Sequence, residues 1–336
     1  MGLKKRWVRV VSLLALPLLM ISSPGVVASE PGNVNNFNEF LAQLRQESIA
    51  LGIDKTTIET AFPKIKRFKQ STPLNQESSL PESLEIYLPI SVSEANVNTA
   101  RVFFKEHKDE LETLGEKYGV QPRFILALWG IESNYGAHLT SYPVLSVTAS
   151  LAFESSEPSS YKNEFFAALN ILAQERITFD DLRASRNGSM GQIQFTPSMY
   201  LSHAQDGNGD GNKDIWNNTL DALASAAAFL KSSGWKNQQT WGRQVRVPQE
   251  FDAELAALSV KKTFSQWSSL GLTRFDGSAL PARDDMSVSL IMPDGPSGRK
   301  YLIYDNYRSL LAWNSSDYFA ISVTYLSERL KYPPIK

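Results

Sequence analysis

The chain has 336 residues, of which 42% are hydrophobic, and Lys plus Arg (34) nearly balance Asp plus Glu (35). That length supports a sizeable core in about two structural units, and the near-zero net charge argues against a nucleic-acid partner, whose surface demands a basic excess. There is no Cys, which removes disulfides, thiolate nucleophiles, zinc fingers and iron–sulfur ligation together. His107, His138 and His203 are the only histidines, so a histidine-rich metal centre is not expected.

Residues 1–28 read as a secretory signal. Lys4, Lys5, Arg6 and Arg9 form a basic start, and Val10 to Ile21 is an apolar run too short for a comfortable membrane span. Val26 and Ala28 are small residues placed for cleavage before Ser29. The alternative is an uncleaved anchor. A lipid-modified signal needs a Cys. The expectation is therefore a soluble protein of an exported compartment with no membrane span after cleavage. Its net charge moves from −1 to −5, because four cations leave and no anion does.

Phe37, Phe40, Leu41, Leu44, Ile49 and Leu51 recur at a helical period over 37–62, interrupted at Gly52, with Asp54 as the cap of a second short helix. Residues 63–92, rich in Pro, Ser and Gln, read as extended or loop chain. Helices are predicted over 96–118, 122–135, 160–177 and 218–233, and a last one from about Ser316 to Leu330. Residues 243–305 change character. Val245, Val247, Phe251, Val288, Leu290, Ile291 and Tyr301 to Tyr304 read as short strands, with turns at Asp276-Gly277 and Asp294-Gly295. The expected organisation is a signal over 1–28, a mostly helical region over 29–242, a small β-rich domain over 243–307, and a C-terminal helix over 308–336. Trp235, Trp241 and Trp267 are read as packing residues.

Three stretches carry chemistry. In Gln121 to Gly136, Ile125, Leu128 and Trp129 lie seven, four and three residues before Glu132, so they flank it on one helix face. A carboxylate set into such a face is desolvated, which favours the neutral acid and suits a catalytic proton donor. On this pattern alone, a Glu at the edge of the stripe, ion-paired or wet, is the favoured reading, since amphipathic helices often carry such residues. Ser185 to Pro197 is a glycine-rich polar loop whose Ser185, Ser189, Gln192 and Gln194 offer neutral donors and acceptors, as a sugar groove needs. No Gly-Lys-Ser/Thr follows it, and no Gly-x-Ser-x-Gly elbow occurs in the chain. Asp206-Gly-Asn208-Gly-Asp210-Gly-Asn212 places oxygen side chains at positions one, three and five of a calcium loop, with Gly211 at six and the Asn212 carbonyl at seven. The usual Glu at twelve is replaced by Asn217, and Asp221 is the nearest carboxylate able to close the shell. A single copy without that Glu points to a structural Ca2+ rather than a sensor.

Four segments together, Trp129 to Gly136, Gly188 to Pro197, Asp206 through Ala224, and Trp313-Asn314-Ser315-Ser316-Asp317-Tyr318, resemble the lytic murein transglycosylase B family of exported peptidoglycan-cleaving enzymes. The resemblance runs from about Phe37 to Leu330. It implies a mainly α (α+β) chain: a lysozyme-like helical core, an additional helical region, an EF-hand-like calcium loop and a small β-rich insert. It implies one catalytic acid, which falls on Glu132. Ser185, Gln194 and Asn314 line the groove, with Tyr318 among them. One structural Ca2+ sits in the loop held by Asp206, Asn208, Asp210, Asn212 and Asp221. The implied reaction is non-hydrolytic cleavage of the MurNAc-GlcNAc β-1,4 bond to a 1,6-anhydromuramoyl end, with no organic cofactor. The implied partners are peptidoglycan glycan strands, and proteins of wall synthesis or remodelling. Departures are Phe229 and Phe319 where the family has Tyr, and the absence of arginines between Glu154 and Tyr161. Competing readings are a hydrolytic muramidase, whose second carboxylate would come from Glu154, Asp180 or Asp181, a non-catalytic calcium-stabilised glycan-binding wall protein, and a calcium-responsive regulator.

Overall fold

The computed structural model describes residues 36–69, 83–137, 141–156 and 158–332. The signal reading of 1–28, and His138, lie outside the described residues. Helices α1 (Phe37–Ala50) and α2 (Lys55–Ala61) fall where the apolar spacing predicts. Asn36 caps the first, and Asp54 caps the second by accepting the Thr57 N–H at 2.9 Å.

The expectation of irregular chain over 63–92 fails in its second half, where α3 (Leu84–Ser91) forms despite Pro89. Leu84 and Leu88, one turn apart, are buried against the last helix of the chain. Pro89 forgoes a bond to the Glu85 carbonyl, on a turn open to solvent where water can replace it. The single helix expected over 96–118 is two, α4 (Glu94–Glu106) and α5 (Lys108–Tyr118), broken at His107, whose φ of −111° and ψ of 31° leave the helical region.

Helix α6 (Pro122–Ser133) is the axis of the helical core. Phe124 to Trp129 are all buried, and α4, α5, α10 (Thr219–Ser232) and α13 (Asp317–Lys331) pack around it. A helix that is apolar on every side belongs inside, and each buried Leu or Ile contributes about 1.5–3 kcal/mol. Helix α7 (Val144–Glu154) escapes prediction for the same reason: Val144 to Ala152 are buried without interruption, so no periodicity marks them. It packs on α8 (Pro158–Gln174), which packs on α9 (Pro197–His203). A two-stranded pair, β1 (Tyr142–Pro143) with β2 (Arg183–Ala184), leads into the glycine-rich loop.

Strands β3 (Gly242–Arg246), β4 (Lys262–Thr263), β5 (Thr273–Arg274), β6 (Ser287–Ile291) and β7 (Tyr301–Ile303) form an antiparallel sheet in the order β4-β6-β7-β3-β5. Val247 and Phe251 lie beyond β3 and pack as side cover, not as strand residues. The sheet carries its own apolar cluster around Trp267 of α11 (Phe264–Ser269), whose Nε1 donates to the Val288 carbonyl at 3.0 Å. Thr263 and Gln266 close a capping box on α11 that marks its start. Helix α12 (Asp305–Trp313) then delivers the chain to α13. Among the described residues no helix is long and apolar enough to cross a membrane.

Candidate active site

The end of α6 is built to hold one side chain. Gly130 leaves room for the Tyr135 ring, since a Cβ there would lie 2.6 Å from a ring carbon. Asn134, Tyr135 and Gly136 follow in left-handed conformation, with φ of 50°, 59° and 77°. That is strained for a tyrosine. It is held by the Tyr135 hydroxyl donating to the Asn96 carbonyl at 2.9 Å and by stacking on Phe103 at 5.4 Å. The Gly136 N–H donates to the Ser133 hydroxyl at 2.9 Å, so the chain reverses immediately after Glu132.

Glu132 is partly exposed as a residue, yet its carboxyl is closely surrounded by protein. Burial pushes its pKa up to about 8, opposed by one hydrogen bond: Trp313 Nε1 donates to Glu132 Oε1 at 2.6 Å. No ion pair forms at this carboxyl in the described structure, in contrast to the edge reading that the helix pattern favours. Tyr87 of α3 is close enough that the Glu132 charge, together with burial, raises its pKa. A cleft of about 480 Å³ opens beside Gly130 and Ile131 and is walled by Tyr87, Ile90, Asn96 and Asn134. A larger cavity of about 720 Å³ lies between the end of α8 and residues 210–218 and does not include Glu132. Glu132 lines neither; the smaller cleft runs along Gly130, Ile131 and Asn134, its neighbours at the end of α6.

The glycine-rich loop folds back as two short bridges, Ala184 with Met190 and Met190 with Phe195. Gln192 ties it to the core: its Oε1 accepts from Trp129 Nε1 at 2.9 Å and its Nε2 donates to the Trp216 carbonyl at 3.1 Å. Gln194 takes a left-handed φ of 52° and donates from Nε2 to the Gly191 carbonyl at 2.8 Å. This conformation brings the neighbouring Phe195 ring within 5.1 Å of Trp313. The Ser185 hydroxyl bonds to Asn187 Oδ1, and its N–H donates to the Ser189 carbonyl at 2.8 Å.

Asn314 follows Trp313, is exposed, and caps the next turn by accepting the Ser316 N–H at 3.0 Å. Tyr318 meets Tyr87 edge-on at 5.2 Å and donates its hydroxyl to Asp294 Oδ1. Asp294 Oδ2 accepts the Leu84 N–H at 2.9 Å, and Arg299 pairs with Glu85 through two bonds of 2.6 and 2.7 Å. The turn between β6 and β7 therefore clamps α3 beside the cleft.

Glu132, the 194–195 step, the 313–314 step and the Tyr318–Tyr87 pair thus converge. Trp313, Tyr87 and Phe195 carry much of this geometry, and sequence reasoning assigns them no role. Trp313 and Phe195 fall inside two of the marker segments, which is the signal that could have found them; Tyr87 has none.

The Asp206 loop curls on its own side chains. Asp206 Oδ1 accepts the Gly209 N–H at 2.6 Å and Oδ2 accepts that of Gly211 at 2.8 Å, while Asp210 Oδ1 accepts that of Asn212 at 2.8 Å. Asn208 joins Asp210 through Nδ2 at 3.0 Å, and these bonds hold the Asp210 carboxyl below its ordinary pKa. The donor set is oxygen only, at alternate positions, and fits a hard cation such as calcium. No three His, Asp or Glu side chains among the described residues converge as a metal cluster. Asp221, expected to close the shell, is fully buried with both oxygens engaged by backbone. Oδ1 accepts the Gly207 N–H at 2.8 Å and Oδ2 that of Asp214 at 2.7 Å, so it pins the two ends of the loop together.

The transglycosylase SLT domain family matches residues 36–328. The membrane-bound lytic murein transglycosylase B of Escherichia coli strain K12 is 29% identical over 237 residues, which are 69% of this chain and span 63% of that relative. SltB3 of Pseudomonas aeruginosa, solved in complex with NAG-anhNAM-pentapeptide, superposes with a TM-score of 0.81 at 33% identity and covers 88% of this chain and 80% of its own. The Escherichia coli lytic transglycosylase Slt35, solved with calcium, shares the fold at a TM-score of 0.73 and 23% identity, over 91% of this chain and 95% of its own. With the helical core, the cleft at the end of α6 and a match over nearly the whole described chain, this protein belongs to the transglycosylase SLT family.

Proposed function

We propose that this protein is an exported lytic transglycosylase that cleaves the MurNAc-GlcNAc β-1,4 bond of peptidoglycan without water, with Glu132 as the single catalytic acid and then base. The observation that carries the reading is the enclosed Glu132 carboxyl, which stays protonated at neutral pH because burial raises its pKa to about 8. The neutral acid protonates the departing glycosidic oxygen. Positive charge develops at the muramic acid C1, where the substrate's own acetamido oxygen stabilises it, oriented by Asn314 and Ser185. The ionised Glu132 then takes the proton of the C6 hydroxyl as that oxygen closes on C1. The 1,6-anhydro ring forms, and Glu132 is protonated again. Gln194 and Tyr318 complete the groove. The Pseudomonas relatives solved with NAG-NAM-pentapeptide and with its anhydro counterpart support this substrate class.

A muramidase places a second carboxylate roughly 5–9.5 Å from the first. The three candidates are engaged elsewhere: Glu154 with Arg67 at 2.9 Å, Asp180 with Lys64 at 3.5 Å, and Asp181 with the Thr178 hydroxyl at 2.6 Å. The Glu132 pKa is set by burial and Trp313. Calcium would be held by Asp206, Asn208, Asp210 and the Asn212 carbonyl, braced by Asp221, and would supply stability to the loop. Export rests on the basic and apolar start of the chain and agrees with the membrane-bound Escherichia coli relative. The sheet of residues 243–307 serves as a separate unit that braces α3. The test is digestion of purified peptidoglycan by the wild type and by Glu132→Gln, with products identified by mass spectrometry. Anhydro-ended muropeptides from the wild type alone are expected. Reducing-end products would assign a muramidase, and wall binding without products would assign a binding module.

A further inference from the structure

We propose that Trp313 is a positioning residue that fixes Oε2 of Glu132 as the oxygen carrying the transferable proton. The inference rests on the lytic reading of Glu132 given above. An indole N–H can donate and cannot accept. With Trp313 Nε1 2.6 Å from Oε1, a proton on Oε1 would compete with the indole hydrogen for the same site. The neutral acid therefore keeps its proton on Oε2, which is left for the substrate oxygen. Once the proton has gone, the same N–H stabilises the carboxylate through a charge-assisted bond. One donor thus serves both halves of the reaction without moving.

The indole is held for this task. Trp313 is the last residue of α12, where its backbone alone would leave the ring free to turn. Phe195 at 5.1 Å and Phe229 at 4.9 Å fix it, and His203 backs Phe229 at 5.0 Å. Having no hydroxyl, Phe229 offers the indole N–H no competing acceptor. Tyr87 of α3, its pKa raised by burial and further by the Glu132 charge, lies near the carboxyl, and His203, its pKa lowered by burial, stands behind the aromatic layer.

The experiment titrates Glu132 in the whole protein without substrate, by carboxyl NMR of glutamate-labelled samples, with Glu132→Gln identifying the resonance. In Trp313→Phe, which keeps an aromatic ring and loses the N–H, the Glu132 pKa is expected to rise by about one pH unit. In turnover, kcat falls about tenfold while KM stays near the wild-type value. Phe229→Leu keeps the N–H and loosens its support, so a smaller rise is expected; it carries the test if Trp313→Phe does not fold. An unmoved or lowered pKa in both variants would overturn the proposal, as would a lower kcat in Trp313→Phe with an unmoved pKa. Because the titration needs no substrate, a wild type that yields reducing ends would sink the lytic reading while leaving the Trp313 bond to be judged on its own.

Discussion

Two buried carboxyls in this molecule face opposite fates. Glu132 and Asp221 are both removed from bulk water, and burial pushes both pKa values upward. Asp221 is met by the backbone N–H groups of Gly207, Asn208 and Asp214, which stabilise its charge under a thin cover of loop. Glu132 is met by a single indole N–H amid apolar neighbours and rises to about 8. Closer enclosure and fewer donors together separate a carboxyl that can give up and regain a proton near neutral pH from one that holds a loop together.

The comparison breaks most sharply at activity. Glu132→Gln is expected to lower turnover of peptidoglycan by roughly 10²–10⁴-fold, measured as release of soluble muropeptides. In the wild type, kcat/KM should fall as pH rises above about 8, because the acid must start neutral. Glu132→Gln should stabilise the fold by about 4 kcal/mol at pH 8. The sign follows from a folded pKa of about 8 against an ordinary 4.5: the folded state holds the proton longer, so wild-type stability falls as pH rises through that window, and the gain from Gln vanishes below pH 4.5. Asp221→Ala strands three N–H groups and should cost about 3 kcal/mol of stability by denaturant unfolding, with the loop losing protection from hydrogen exchange. At the small end, free calcium at ten times its Kd should add about 1.4 kcal/mol to thermal stability, and Asp206→Ala should abolish that increment.

The parts legible in the sequence are those with local rules. The cap at Asp54, the apolar period of α1 and the calcium spacing announce themselves residue by residue. The flanking Ile125, Leu128 and Trp129 mark Glu132 as a candidate, and the resemblance of Trp129 to Gly136 to a known family, not the helix pattern, singles it out as the acid. Helix α7 is hidden because burial on every side erases periodicity, and α3 because Pro89 and the polar chain before it outweigh the Leu84–Leu88 pair. Trp313 and Tyr87 reach Glu132 from 181 and 45 positions away in the chain, brought there by α12 and α3. No local pattern encodes that approach. It depends on the sheet, whose Asp294 and Arg299 hold α3 in place.

The central claim, that one carboxyl closes a ring without water, is tested most directly by digesting peptidoglycan in H₂¹⁸O and weighing the muramoyl ends. The account predicts anhydro ends that carry no ¹⁸O at C1. Reducing ends labelled with ¹⁸O would show that water attacks C1 and would contradict it.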